Sequence, residues 1–153
     1  MPNAPHETRL NSPEETSQFA VALGAQLRPG DVILLEGGIG AGKTHFARSL
    51  IQSLLAEPED VPSPTFTLVQ VYDGLEAEIW HADLYRLTDP NEAIELGLED
   101  AFETAICLVE WPDRLGDLTP KGALTLRFAA QPDDSRIMVA TGAQWMTRLE
   151  GLI

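Results

Sequence analysis

Cysteine is nearly absent: Cys107 is the only one in 153 residues, so no intramolecular disulfide can form. Three histidines, His6, His45 and His81, are too scattered to join it in a zinc-ligand spacing. Lysine is scarce as well, with Lys43 and Lys121 the whole complement. Apolar runs stay well short of the ~18 residues that a membrane-crossing helix needs, so no part of the chain is expected to span a bilayer. The start of the chain carries Glu7, Glu14 and Glu15 without an apolar segment, unlike a secretory signal. A cytoplasmic location is the default expectation. Basic charge is the last deficit: 10 Lys and Arg stand against 24 Asp and Glu, a net charge of −14. A polyanion meets net repulsion over such a surface, so the chain should not hold nucleic acid by its own field. So much acid serves solubility, or offers a face to a basic partner.

What is present is ordinary for a globular chain, with 44% hydrophobic and 22% charged residues. The length predicts one domain over residues 1–153, with 1–11 as a polar, flexible lead-in. Ser12-Pro13-Glu14-Glu15 announces a helix, with Ser12 as N-cap, Pro13 at the first position and Glu15 closing a capping box. Phe19, Leu23 and Leu27 share one face of it, and Gly30 ends the segment. Asp31–Leu35 is a short buried strand, and His45–Leu55 an amphipathic helix. Phe66–Tyr72 and Glu78–Leu84 read as strands around the turn Asp73-Gly74. Asp89 caps a short helix, and Ala105–Val109 is an apolar strand stopped by Glu110-Trp111-Pro112. Ala123–Ala129 and Arg136–Thr141 are further strands, and Gln144–Leu149 a closing helix. Strand, glycine loop and helix in this alternation predict a three-layer α/β domain with a mixed parallel and antiparallel sheet.

Gly37-Gly38-Ile39-Gly40-Ala41-Gly42-Lys43-Thr44 satisfies G-x-x-x-x-G-K-[ST] at every fixed position. Wrapping phosphates in backbone N–H groups requires a loop with few Cβ atoms and free access to positive φ. The helix that follows points its positive end at the same place. Lys43 then reaches the β- and γ-phosphate oxygens, and the Thr44 hydroxyl takes a place on Mg²⁺. ATP and Mg²⁺ are the ligands expected.

Such a site needs a carboxylate at the exit of a buried strand. Glu110 follows Ala105–Val109, which is apolar on both faces and so central in the sheet. Asp83 ends the more mixed Ile79-Trp80-His81-Ala82 and competes for the role. Thr65, in Ser63-Pro64-Thr65-Phe66-Thr67, is a candidate to place a hydroxyl over the γ-phosphate, although the same residues make a rigid turn.

Together these blocks resemble the TsaE family, small bacterial ATPases of tRNA threonylcarbamoyladenosine synthesis. The resemblance rests on Glu36–Thr44, Ser63–Val69, His81-Ala82-Asp83-Leu84-Tyr85-Arg86 and Ile106–Pro112, and covers about residues 12–115. It implies a mixed-sheet P-loop fold, weak intrinsic ATPase activity and work beside TsaD and TsaB on adenosine 37 of tRNA. The tRNA itself is met only through that complex. Carried over residue by residue, the resemblance places Glu110 in the magnesium shell with Thr44 and makes Asp83 a functional acid that positions water. It makes Thr65 a switch-like threonine and puts Trp111 near the nucleotide or at the partner face, against the plainer reading of Trp111 as a core aromatic. Gly38 and His45 depart from the family's usual acid and second threonine. A small-molecule kinase and a non-catalytic, ATP-dependent recruitment switch are the rival readings. The scattered arginines speak against the kinase, and the two acids against the switch.

Overall fold

A computed structural model of the chain describes residues 5–64 and 67–152. His6–Leu10 form strand β1, Pro13–Gly24 helix α1, Val32–Gly37 strand β2 and Lys43–Leu54 helix α2. Val69–Asp73 and Glu78–Asp83 form β3 and β4, and Asn91–Glu95 and Leu98–Thr104 the short helices α3 and α4. Ile106–Glu110 is β5, Leu124–Ala130 β6 and Arg136–Thr141 β7. The 3₁₀ stretches Pro112–Leu118 and Ala143–Trp145 follow β5 and β7.

Among the described residues the strands form one seven-stranded sheet in the order β1-β7-β6-β2-β5-β4-β3. The four strands β6, β2, β5 and β4 are parallel. β3 pairs antiparallel with β4, β7 with β6, and β1 with β7, which makes the mixed sheet expected from the sequence.

The two central strands explain their own composition. Ile33 and Leu35 of β2, with Ile106 and Leu108 of β5, enter the core that α1 and α2 cover. Val32 and Leu34, with Cys107 and Val109, enter a second core on the opposite face beside Leu98 and Ala101 of α4. A strand covered on both faces has no polar alternation to show, hence the unbroken aliphatic runs. Burial pushes the Cys107 thiol up to about 12, so it remains a protonated core side chain.

Helix α1 begins where its capping residues place it. Ser12 Oγ accepts from the Glu15 amide at 3.1 Å, while Glu15 Oε1 accepts from the Asn11 amide at 3.0 Å rather than from that of Ser12. The helix stops at Gly24 rather than Gly30, and Leu27 still packs into the core from the turn that follows. In α2, Phe46 sits between Phe19 and Phe128, with ring centroids 5.9 and 5.4 Å away. Replacing a buried aromatic of this kind by alanine costs about 3–5 kcal/mol. The helix that carries the site residues is thereby fixed against both α1 and the sheet.

Three further expectations are corrected, and one helix was not expected at all. His6–Leu10, expected to be flexible lead-in, pair with β7 from His6↔Ala140 to Leu10↔Arg136. An edge strand held by backbone bonds, with Leu10 its one buried side chain, leaves little pattern to read. The strand expected from Phe66 begins at Val69, and Phe66 lies outside the described residues. The closing helix at Gln144–Leu149 is reduced to a 3₁₀ turn, although Trp145 and Leu149 are buried as its pattern required. Helix α4 was not anticipated because it starts from Gly97 in a left-handed conformation, with no side-chain cap to announce it.

Candidate functional site

Parallel strand order brings three carboxyl ends together. The register pairs Leu35 of β2 with Glu110 of β5, and Glu110 with Asp83 of β4. Crevices outside the carboxyl ends of parallel strands are where α/β sheets take their ligands. The glycine loop starts at Gly37, the last residue of β2, with φ of 136°. A Cβ there would collide with the Phe128 carbonyl of β6, so the turn out of the sheet requires glycine. Gly38 follows, and Gly40 and Gly42 also take positive φ. Ile39 stands 82% exposed at the loop tip, whereas Ala41 packs into the core and anchors the loop from beneath. Gly42 caps α2 without a side chain, which leaves the first amides of that helix facing the loop.

Around this loop lies a cavity of about 520 Å³, within the roughly 300–1,000 Å³ of small-molecule sites. Ile39, Gly40 and Gly42 line it with Lys43, Thr44 and His45, and Asp83, Tyr85, Glu110, Trp111 and Arg136 complete the wall. Lys43 is only 5% exposed. Its Nζ donates to the Gly37 carbonyl at 2.6 Å and lies 3.6 Å from the centroid of the Trp111 ring. Burial pulls the lysine pKa below its ordinary value, opposed by the nearby charges of Glu110, Asp83 and Asp113. Trp111 is left-handed at φ 59°, an uncommon conformation for a bulky residue, and its ring packs tilted against Tyr85 at 4.9 Å. Strain of this kind turns the chain out of β5 and sets the indole over the lysine.

Glu110 is 2% exposed and holds two partners at once. Its Oε1 accepts the Thr44 hydroxyl at 2.9 Å, and its Oε2 accepts from His81 Nε2 at 2.7 Å. A hydroxyl and a carboxylate side by side are hard oxygen donors, which suits Mg²⁺ better than a softer metal. Among the described residues no cluster of three or more His, Cys, Asp or Glu could cage a metal unaided. Asp83 is 6% exposed, and its Oδ1 accepts the Tyr85 amide at 3.0 Å.

The structure thus gathers Ile39, Gly40, Gly42, Lys43, Thr44, Asp83, Glu110 and Trp111 at one cavity, with Gly37, Gly38 and Ala41 completing the loop but not lining it, while Thr65 lies outside the described residues. The model of the family "Threonylcarbamoyl adenosine biosynthesis protein TsaE" matches residues 10–138. The chain belongs to the TsaE family. The TsaE protein of Rickettsia bellii is 41% identical over 131 residues, covering 86% of this chain and 91% of its own. That of Bacillus subtilis is 37% identical over 134 residues, covering 87% and 83%. Both are named tRNA threonylcarbamoyladenosine biosynthesis proteins. The crystal structure of Bacillus subtilis YdiB superposes with a TM-score of 0.77 at 31% identity, covering 98% of this chain and 92% of that one.

Within this TsaE-type site, three contributors escaped the sequence reading. His81 shares a strand face with Asp83 two residues on, a spacing that could have drawn attention to it. Tyr85 sits within the His81–Arg86 block but became a wall residue only through its contact with Trp111. Arg136 of β7 had no local signal. Its Nε donates to the Ala41 carbonyl at 3.0 Å and its Nη2 to the Gly40 carbonyl at 3.3 Å. Holding these carbonyls outward leaves the loop amides free to face the cavity. Arg136→Ala is therefore expected to weaken nucleotide binding about tenfold with the fold intact, since one or two charge-assisted bonds are lost. Calorimetry with ADP beside a thermal melt checks this, and wild-type affinity would show that the guanidinium does not hold the loop. His45, where the family usually has threonine, is tied to α1, with Nε2 3.0 Å from both Ser17 Oγ and the Pro13 carbonyl.

Proposed function

We propose that this chain binds ATP with Mg²⁺ at the Gly37–Thr44 loop and hydrolyses it slowly, in support of threonylcarbamoyladenosine formation on tRNA beside TsaD and TsaB. One observation carries the reading: Lys43, Thr44, Glu110 and Asp83, drawn from two strand ends and a helix start, converge on one cavity. The relatives' names supply the pathway.

In this reading the loop amides and Lys43 hold the β- and γ-phosphates, and Trp111 keeps water from the lysine. Thr44 and Glu110 hold Mg²⁺, which supplies charge neutralisation on the phosphate oxygens. Asp83 orients the attacking water with a carboxylate whose direction is set by the Tyr85 amide. The kinase reading is weaker, because Arg136 is the one arginine lining the cavity among the described residues and its Nε and Nη2 are bonded to loop carbonyls. The recruitment switch is distinguished by turnover. Phosphate release by the pure chain is expected to be slow and to rise when TsaD and TsaB are added, because docking closes the cavity to water. A rate indifferent to both partners would remove them from the proposal.

No helix among the described residues is long and apolar enough to cross a membrane, and the work proposed is that of the cytoplasm, where tRNA is modified. The tRNA is reached through the partners. Several arginines are already spent on acids, with Arg9 on Asp133, Arg127 on Glu36 and Arg148 on Asp31. The chain alone should bind tRNA no tighter than about 10⁻⁴ M at physiological salt, the weak end of non-specific affinity. Fluorescence anisotropy with labelled tRNA checks it, and micromolar binding by the lone chain would contradict the electrostatic half of the proposal.

A further inference from the structure

His81 is the one buried titratable side chain at the site to which no role has yet been given. It is 0% exposed, one pleat behind Asp83 on β4, and reaches sideways to Glu110 on the neighbouring strand β5. The bond from His81 Nε2 to Glu110 Oε2 is 2.7 Å, shorter than the 2.9 Å bond from Thr44 to Oε1 of the same carboxylate. Because an ionised carboxylate only accepts, Nε2 carries the proton and His81 donates. Its Nδ1 has no partner among the described residues, a cost that a purely structural core position would avoid by using an apolar side chain. What that cost secures is the direction of Glu110. With Oε2 pinned from the core side, the carboxylate cannot rotate about its last bond, and Oε1 stays turned toward Thr44 at the foot of the phosphate loop.

We propose that His81 is the positioning residue of the metal site, holding Glu110 so that one carboxylate oxygen faces the metal together with the Thr44 hydroxyl. The proposal rests on Glu110 belonging to the magnesium shell. Partners that orient a ligating carboxylate in this way typically carry about 10–100-fold in metal affinity. The chain of contacts runs from β4 through β5 to the start of α2, so it joins three elements at the point where the nucleotide's charge would be borne.

The test uses the whole chain and measures ADP affinity by calorimetry, once with Mg²⁺ and once with EDTA, beside a thermal melt. His81→Leu keeps a similar volume and removes the donor, whereas His81→Gln keeps a donor at the reach of Nε2. His81→Leu is expected to lose about tenfold or more of the affinity that Mg²⁺ adds, with affinity in EDTA unchanged. His81→Gln is expected to restore most of that gain. In a Glu110→Gln background, His81→Leu should cause no further loss, since it acts through that carboxylate. Equal losses with and without Mg²⁺, or the same penalty in the Glu110→Gln background, would overturn the role of His81. If His81→Leu does not fold, the comparison of His81→Gln with His81→Asn decides, because the shorter amide cannot reach Glu110. Equal Mg²⁺ gains in those two variants would also overturn it. Should Glu110→Gln itself keep the full Mg²⁺ gain, the metal reading of Glu110 falls first. A loss with Glu110→Gln but none with His81→Leu would instead refute His81 alone.

Discussion

Lys43→Ala is expected to lower ATP affinity by at least about 10²-fold, beyond reach of an ordinary calorimetric titration, while the chain stays folded. The lysine is held in advance of its ligand. The residue is largely buried, with its ammonium bonded to the Gly37 carbonyl and lying against the Trp111 ring. Burial disfavours its charge, and the carboxylates of Glu110, Asp83 and Asp113 work to retain it. A phosphate tail arriving here meets a cation already stripped of much of its water, and each charge-assisted bond it makes is worth about 1.5–3 kcal/mol. Two or more such bonds vanish in the alanine variant, which sets the size of the expected loss. Lys43→Arg should recover little, because a planar fork replaces a point charge beneath the indole. Unchanged affinity in Lys43→Ala would remove the loop from the account.

Asp83→Asn and Glu110→Gln are expected to fail in different ways. Asp83 ends β4, and its Oδ1 accepts the backbone amide of Tyr85. Its amide should leave Mg²⁺–ATP binding near wild type and lower turnover by about 10²–10⁴-fold, the range of a lost general acid or base. Glu110 is bonded to Thr44 itself. Its amide should reduce the gain in nucleotide affinity that Mg²⁺ provides, and turnover would fall as a consequence. Calorimetry with and without Mg²⁺, beside phosphate release at saturating ATP, separates the two. Identical profiles would mean that the roles assigned to these acids are wrong.

How much of this was legible before the structure follows from the range of each signal. The glycine loop is local: Gly37 to Thr44 carry their geometry in consecutive residues, and the strand and helix on either side show in their apolar patterns. Glu110 was legible because β5 is apolar on both faces and the acid stands at its exit. Asp83 was harder to choose, since β4 mixes Trp80 and His81 with aliphatics, and only the register Asp83↔Glu110 sets it beside the loop. The contacts that hold the site together join distant parts of the chain. Arg136 reaches Ala41 from 95 residues away, and His81 reaches Glu110 from 29. Arg136 has no periodicity or spacing to betray it, and the two-residue spacing of His81 from Asp83 does not reveal the reach to Glu110, because strand order decides both contacts. β1 was missed for a related reason: its bonds to β7 are backbone bonds, available to almost any residue types.

The measurement that reaches the centre of the account is replacement in a cell. In a bacterium depleted of its own TsaE protein, this chain is expected to restore the threonylcarbamoyladenosine content of tRNA, read by mass spectrometry of digested nucleosides. The Lys43→Ala variant, expressed to the same level, is expected to restore none. Restoration of the modified nucleoside by Lys43→Ala to the wild-type level would contradict the claim that ATP bound at this loop is what the pathway uses.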